Sequence, residues 1–214
     1  MEKHVAILMA DLSGYTALTE THGSVMAADL IDKYIHIAEK CLVGDSKLHQ
    51  RHGDEIMFIS DSPDFLLATA IKLEANTASE ENFLQVHGGL HFDKVLYRDN
   101  SYFGSAINLV SRIAAKATPG YFWCSDEFVK AIADKSVCRF KSKGSHHFKN
   151  LTDEKEVFEL RIEKRGISYV DPVCRMLIQH PQHATPHPTS DGLYFCSSQC
   201  LELYRESYRR LQTL

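Results

Sequence analysis

The run Val5-Ala6-Ile7-Leu8-Met9-Ala10 contains no polar residue and stops at Asp11, after which the chain continues Leu12-Ser13-Gly14-Tyr15-Thr16. Six consecutive apolar residues bounded by a charge and a Ser-Gly turn signal read as a buried strand. Its end therefore carries a carboxylate where the chain leaves the core. A second aspartate, Asp54, lies in His52-Gly53-Asp54-Glu55, a tight turn between two strand-like runs at 46–52 and 55–60. Each aspartate alone is an ordinary turn residue. Together they form a candidate clamp for divalent cations, because hard ions such as Mg2+ are held by one or two carboxylates plus substrate phosphates. That chemistry points to nucleotides.

The remaining pattern predicts a mixed sheet. Ser13 is expected to cap a short helix reaching about His22, and Ser24 to cap a longer one in which Met26, Ala27, Leu30, Ile31, Tyr34, Ile35, Ala38, Cys41 and Leu42 recur at helical spacing. Pro63 opens the next helix. Residues 84–97 read as a long strand, with Gly88-Gly89 marking a bulge or a close backbone approach. A helix from about Ser105 to Ala117 ends at Pro119-Gly120, followed by a strand at 121–124, a helix at 125–135 and short strands over 137–162. Helices and hairpins in this order indicate an α+β fold rather than a doubly wound parallel sheet.

Composition changes after about Arg165. The last stretch holds three of the six cysteines and a His/Pro-rich segment, His180 to Pro188. So small a unit needs a disulfide, a metal or a partner surface to fold. Two units are therefore expected, residues 1–165 and 166–214. The net charge of −4 argues against a nucleic-acid binder. No apolar run approaches the roughly 20 residues of a membrane span, and no export signal is evident. The cysteines accordingly suggest a reducing, cytoplasmic setting, with clusters as metal or redox candidates.

Four stretches in order resemble the signatures of class III nucleotide cyclases: Met9-Ala10-Asp11-Leu12-Ser13-Gly14-Tyr15-Thr16, Gly53-Asp54-Glu55, Tyr102 to Arg112, and Phe148-Lys149-Asn150-Leu151 with Val157-Phe158-Glu159-Leu160. The resemblance covers residues 4–162. It implies a ferredoxin-like core, a head-to-tail homodimer with active sites at the interface, and conversion of a purine triphosphate to a 3′,5′-cyclic monophosphate plus pyrophosphate. It assigns Asp11 and Asp54, with the Leu12 carbonyl, to two Mg2+ or Mn2+ ions. Ser13, Gly14, Tyr15 and Thr16 would present backbone N–H groups to the terminal phosphates at a helix N-terminus. Asn108 would position the ribose, Arg112 the α-phosphate and Lys149 the terminal phosphates, all from the partner chain. Asn108 and Arg112, four apart, share one helix face. Adenylate cyclases carry Lys and Asp where this chain has Gln50 and Ser101. Gln50 can donate and accept, so it could read adenine or guanine, and Ser101 is short and permissive; the resemblance makes ATP the first choice, since Gln occurs at this position in some bacterial adenylate cyclases, and GTP stays open.

Asp171-Pro172-Val173-Cys174-Arg175-Met176, with Tyr194-Phe195-Cys196-Ser197-Ser198-Gln199-Cys200-Leu201-Glu202-Leu203-Tyr204, resembles a YHS domain of the TRASH-type metal-binding group, a small ββα-type unit. Cys196 and Cys200 are one helical turn apart and can face one ion with Cys174. Thiolates suit Zn2+ or Cu+, and a tetrahedral site needs a fourth ligand, for which His183 and His187 are the candidates. Two other readings remain beside the cyclase. In one, the large unit binds nucleotide and signals without turnover; in the other, the protein is a metal sensor whose large unit serves dimerisation.

Overall fold

The apolar run is the middle of strand β1 (Glu2–Ser13), and every residue from Val5 to Ala10 is buried. The structure, a computed structural model, describes residues 1–149, 151, 153–162 and 169–212. Alternate side chains of β1 enter two different clusters, as the period of a strand requires. Ala6, Leu8, Ala10 and Leu12 pack with Leu18, Leu30 and Tyr34 of helix α1 (Tyr15–Lys40) and with Leu66, Ala70 and Leu73 of α2 (Pro63–Ala78). Val5, Ile7 and Met9 pack on the other side with Ala106, Val110 and Ala114 of α3 (Ser105–Lys116). A strand covered on both faces has no use for polar residues, which explains the unbroken run.

β1 runs antiparallel to β3 (Glu55–Ser60) on one side and to β4 (Gln85–Arg98) on the other. β2 (Lys47–His52) closes a hairpin with β3, and β5 (Ser101–Phe103) folds back on the end of β4. β6 (Phe122–Ser125) lies parallel to β4 after the α3 crossover. After the short helix α4 (Asp126–Ala131), β7 (Arg139–His146) and β8 (Lys155–Arg161) complete the order β2-β3-β1-β4-β6-β8-β7. The sheet is thus mixed and the fold α+β, as the pattern predicts.

Two local departures matter for the site. Ser13 does not cap α1: it is still paired in β1, and the N-cap is Gly14 with φ 93° and no side-chain bond. The two expected helices form one continuous element interrupted at Gly23, whose φ of 84° and ψ of 168° are not helical. Gly88-Gly89 is a close approach rather than a bulge, since the β1–β4 register runs through it unshifted. A Cβ on Gly89 would stand 2.6 Å from both the Ala114 nitrogen and the Val110 oxygen, so α3 rests directly on β4 there. α4 is shorter than expected because Asp64 captures the Ala133 N–H at 3.1 Å and draws the chain out of the helix.

The tail forms two short hairpins, β9 (Tyr169–Val170) with β10 (Leu177–Ile178) and β11 (Thr185–Pro186) with β12 (Tyr194–Phe195), followed by α5 (Ser198–Gln212). Cys174, Met176, Phe195, Cys200 and Leu201 join the same apolar cluster as α1 and α2. Burying Met176, Phe195 and Leu201 there contributes about 1.5–3 kcal/mol each. The backbone is stitched as well: the Leu177 N–H donates to the Phe83 carbonyl at 2.7 Å, and Leu84 bridges Met176. The expected boundary at 165/166 and Asn150 lie outside the described residues.

Candidate functional site

Ala10 of β1 pairs with Ile56 of β3, so the end of β1 and the β2–β3 turn lie side by side. Asp11 and Asp54 are brought into hydrogen-bond contact there. Burial pushes the Asp54 carboxyl up to about 6, and the adjacent Asp11 charge pushes the same way. Burial also raises Asp11, against the pull of Asp54 and of the Leu12 N–H. Two half-buried carboxyls in contact repel once both ionise, and a hard divalent cation removes that cost. The donor set therefore fits Mg2+ or Mn2+. His87 stands opposite Asp11 in the β1–β4 register, its Nε2 4.0 Å from the carboxylate and its Nδ1 2.8 Å from the Ser13 hydroxyl. Burial holds its pKa below the usual histidine value, so at neutral pH it orients these groups without adding charge.

Directly after Asp11 the chain turns into α1. Gly14 takes the left-handed conformation, and its carbonyl accepts the first helical bond, from the Leu18 N–H at 3.0 Å. The N–H groups at the start of a helix have no partner within it, and the helix dipole favours an anion beside them. The turn Ser13–Thr16 thus opens α1 directly after Asp11.

The other predicted residues gather around α3. Asn108 is exposed and Arg112 half-buried on that helix. Phe148 packs with Leu109 and Ile113 of α3, which sets the exposed Lys149 beside the same helix. His49 of β2 meets Tyr102 of β5 edge-on, ring centroids 4.7 Å apart, and Gln50 and Ser101 are the chain neighbours of these two rings. Among the described residues no hydrogen bond or ion pair joins Asn108, Arg112 or Lys149 to Asp11 or Asp54. Asn108, Arg112 and Lys149 thus belong to a group of residues apart from Asp11 and Asp54.

A third cluster lies under the tail. The Sγ of Cys196 is 3.5 Å from those of Cys174 and Cys200, and the Nε2 of His22 is 3.7 Å from the sulfurs of Cys196 and Cys200. All four ligand atoms fall within 4.8 Å of one another. The histidine completing the group is His22, at the end of the first half of α1, rather than His183 or His187. His183 lies in a short turn beside His180, and His187 packs its ring against Phe195 and Tyr204. The neighbouring Cys174 and burial hold the Cys196 thiol well above its usual range, and burial pushes Cys200 up to about 12. Crowded thiols of this kind ionise readily only when a cation takes the proton's place. Cys41, Cys124 and Cys138 are buried elsewhere and act as small apolar residues.

Spacing along the chain does not single out His22 or His87. His87 becomes visible only when β1 and β4 are aligned, and His22 lies more than 150 residues before the cysteines it joins.

No family model matches the chain. An uncharacterized protein of Mycobacterium tuberculosis is 34% identical over 126 residues, 58% of this chain and 33% of that protein. An adenylate cyclase of Glutamicibacter nicotianae is 28% identical over 116 residues, 54% of this chain and 29% of that protein. The chain spans about a third of the length of these curated relatives. The crystal structure of the adenylyl cyclase CyaB from P. aeruginosa superposes with a TM-score of 0.64 at 16% identity, covering 77% of this chain and 97% of that one. The likeness establishes the fold: this is the α+β fold of nucleotide cyclase structures.

Proposed function

We propose that the protein is a nucleotide cyclase of the class III type, converting a purine triphosphate, ATP first, to the 3′,5′-cyclic monophosphate and pyrophosphate. The observation that carries this reading is the contact between Asp11 and Asp54 beside the helix-opening loop Ser13–Thr16. In the reaction the ribose 3′-oxygen forms a bond to the α-phosphorus, the bond from that phosphorus to the bridging oxygen of pyrophosphate breaks, and the 3′-hydroxyl proton passes to solvent. Asp11, Asp54 and the Leu12 carbonyl would hold two Mg2+ or Mn2+ ions, which acidify the 3′-hydroxyl and offset phosphate charge.

The chain's own groups supply the rest. Backbone N–H groups of the loop bind the β- and γ-phosphates. Arg112, planar and permanently charged, steadies the α-phosphate as charge builds there. Asn108 orients the ribose, Lys149 grips the terminal phosphates, and Gln50 and Ser101 meet the purine. Because these two groups, each a half-site, do not touch within one chain, a head-to-tail homodimer brings them together in two equivalent sites. An exposed apolar pair, Leu96 opposite Phe103, flanks α3 where such a partner would lie. The parallel with adenylate cyclase relatives supports ATP over GTP, whereas Gln50 and Ser101 in place of Lys and Asp leave GTP as the second substrate to try. No helix among the described residues is long and apolar enough to cross a membrane.

Purified protein incubated with ATP or GTP and Mn2+ is expected to release cyclic nucleotide and pyrophosphate in equal amounts. Nucleotide binding by calorimetry with no product from either substrate would instead favour a signalling module without turnover.

A further inference from the structure

We infer that His22, Cys174, Cys196 and Cys200 form a zinc site shared between the sheet-bearing lobe and the tail, and that zinc there holds the loop Ser13–Thr16 in place. Zinc–sulfur and zinc–nitrogen bonds of about 2.3 and 2.0 Å in a tetrahedron put sulfurs about 3.8 Å apart and sulfur and nitrogen about 3.5 Å apart. Four of the six separations, two of 3.5 Å and two of 3.7 Å, come close to that cage, all six fall within 4.8 Å, and the sulfurs are far farther apart than in a disulfide bond. Cys174 and Cys200 are fully buried, so residual charge is costly. Three thiolates and a neutral imidazole leave −1 around a divalent ion and −2 around a monovalent one. Zn2+ is therefore the better occupant.

The scaffold around the ligands is already fixed. The buried Asp171 carboxylate accepts N–H bonds from Val173 at 2.7 Å, Cys174 at 3.2 Å and Cys196 at 2.7 Å, tying together the two strands of tail that bear sulfur. The Ser197 hydroxyl accepts the Cys200 N–H at 3.3 Å. Outer groups of this kind orient metal ligands in known sites.

The cluster reaches the loop from two directions. His22 ends the helical segment that Tyr15 begins, two turns or about 12 Å long. Gln199, beside Cys200, donates to the Thr21 carbonyl at 3.3 Å on the same turn. From the other side, Arg175 follows Cys174 with a φ of 68°, a conformation few residues other than glycine adopt. Its stem lies on Gly14: a Cβ at that glycine would stand 2.5 Å from both Cβ and Cγ of Arg175. Zinc thus closes a ring running from the loop along α1, through His22 and the ion, and back through Cys174 and Arg175. The zinc site stands by itself; its consequence for nucleotide handling rests on the cyclase reading.

Full-length protein loaded with zinc and desalted is expected to hold one zinc per chain by elemental analysis. In competition with a chromophoric chelator, His22→Ala should lower zinc affinity at least a hundredfold, while His22→Cys, which restores a ligand, stays within about tenfold of wild type. Backbone amides at 14–22 should exchange hydrogen at least tenfold more slowly in zinc-loaded than in zinc-free wild type. Zinc well below one per chain, or unchanged affinity in His22→Ala with the fold intact by circular dichroism, overturns the site. Equal exchange at 14–22 with and without zinc overturns the hold on the loop. None of these readouts requires turnover, so an absence of cyclase activity leaves them standing and counts only against the function proposed above.

Discussion

The protein contains two clusters of ligand groups, and they differ in how completely they are enclosed. At Asp11 and Asp54, two oxygen-bearing side chains meet at the end of a strand and stay half-buried, with a helix-opening loop beside them. At His22 and the three cysteines, four ligand atoms face one another under the tail, and two of the cysteines have no exposure at all. An octahedral Mg2+ held by two carboxylates keeps most of its coordination sphere for phosphates and water. A tetrahedron of three sulfurs and a nitrogen keeps none, which is the arrangement of structural rather than catalytic sites. On the readings proposed above, the open cluster serves chemistry on something that arrives, and the closed one holds two pieces of chain together.

The contrast breaks most easily at its largest effect. Asp54→Ala is expected to lower cyclase turnover by about a thousandfold or more, since the cation site loses half its carboxylates. Its melting temperature should hold or rise, because a half-buried carboxyl pushed up to about 6 is itself a strain on the fold. Cys196→Ser should do the reverse, lowering the melting temperature clearly and turnover by only about tenfold through a loosened loop. Turnover measured beside thermal melts checks both, and equal activity losses in the two variants would erase the distinction between an open and a closed cluster.

Arg112→Ala comes next, with an expected loss of about a hundredfold in kcat and little change in KM. It also tests whether the half-sites belong to different chains. Inactive Asp54→Ala and inactive Arg112→Ala proteins, mixed and allowed to exchange subunits, should recover about a quarter of wild-type activity, because half the dimers are mixed and each has one intact site. A mixture as silent as its parts would place both half-sites within one chain.

Much of this is legible in the sequence, and the residues show why. Asp11 and Asp54 announce themselves because each ends or joins a strand whose apolar pattern is strong, and adjacent strands bring their ends together. Asn108 and Arg112 share a face by helical spacing alone. The three cysteines are legible from their short spacing, yet their histidine is not: His22 belongs to a different part of the chain, and only the packing of the tail on α1 and α2 selects it over the nearer His183 and His187. Arg175 is hidden for the same reason, since nothing in Cys174-Arg175-Met176 reports that its stem rests on Gly14. Ser13 does not act as a cap because a strand register, which local preference does not encode, keeps it in the sheet and turns its hydroxyl to His87.

A smaller effect sharpens the purine question. Gln50 and Ser101 neighbour the His49–Tyr102 ring contact and stand where the cyclase resemblance places base recognition, so the two are changed together. Gln50→Lys with Ser101→Asp is expected to raise the kcat/KM ratio of ATP over GTP by about tenfold, the scale of one or two hydrogen bonds that suit one base and are mismatched on the other. Competitive assays with both triphosphates measure it; an unchanged ratio would move base recognition away from these two positions.

The smallest effect separates the clusters by pH. Asp54 is raised from its ordinary 3.8 to about 6 in the folded protein, and Asp11 is raised too. The folded state therefore binds more protons than the unfolded state between those values, and stability falls as pH rises through that window. The contribution is full below about pH 4 and gone above about pH 6. Carboxylates elsewhere, such as Asp45 and Glu127, are lowered and slope the opposite way, so the raw melting curve mixes both. Subtraction of Asp54→Asn isolates the pair: without divalent cations, the melting temperature of wild type minus that of the variant should drop by about 2–4 °C between about pH 4 and pH 7. Mg2+ should reverse the drop at neutral pH, because the cation binds the ionised pair and not the neutral amide. A flat difference, with or without Mg2+, would mean that the two carboxyls do not share a site, and the open cluster would lose its claim to be a cation clamp while the closed one kept its own.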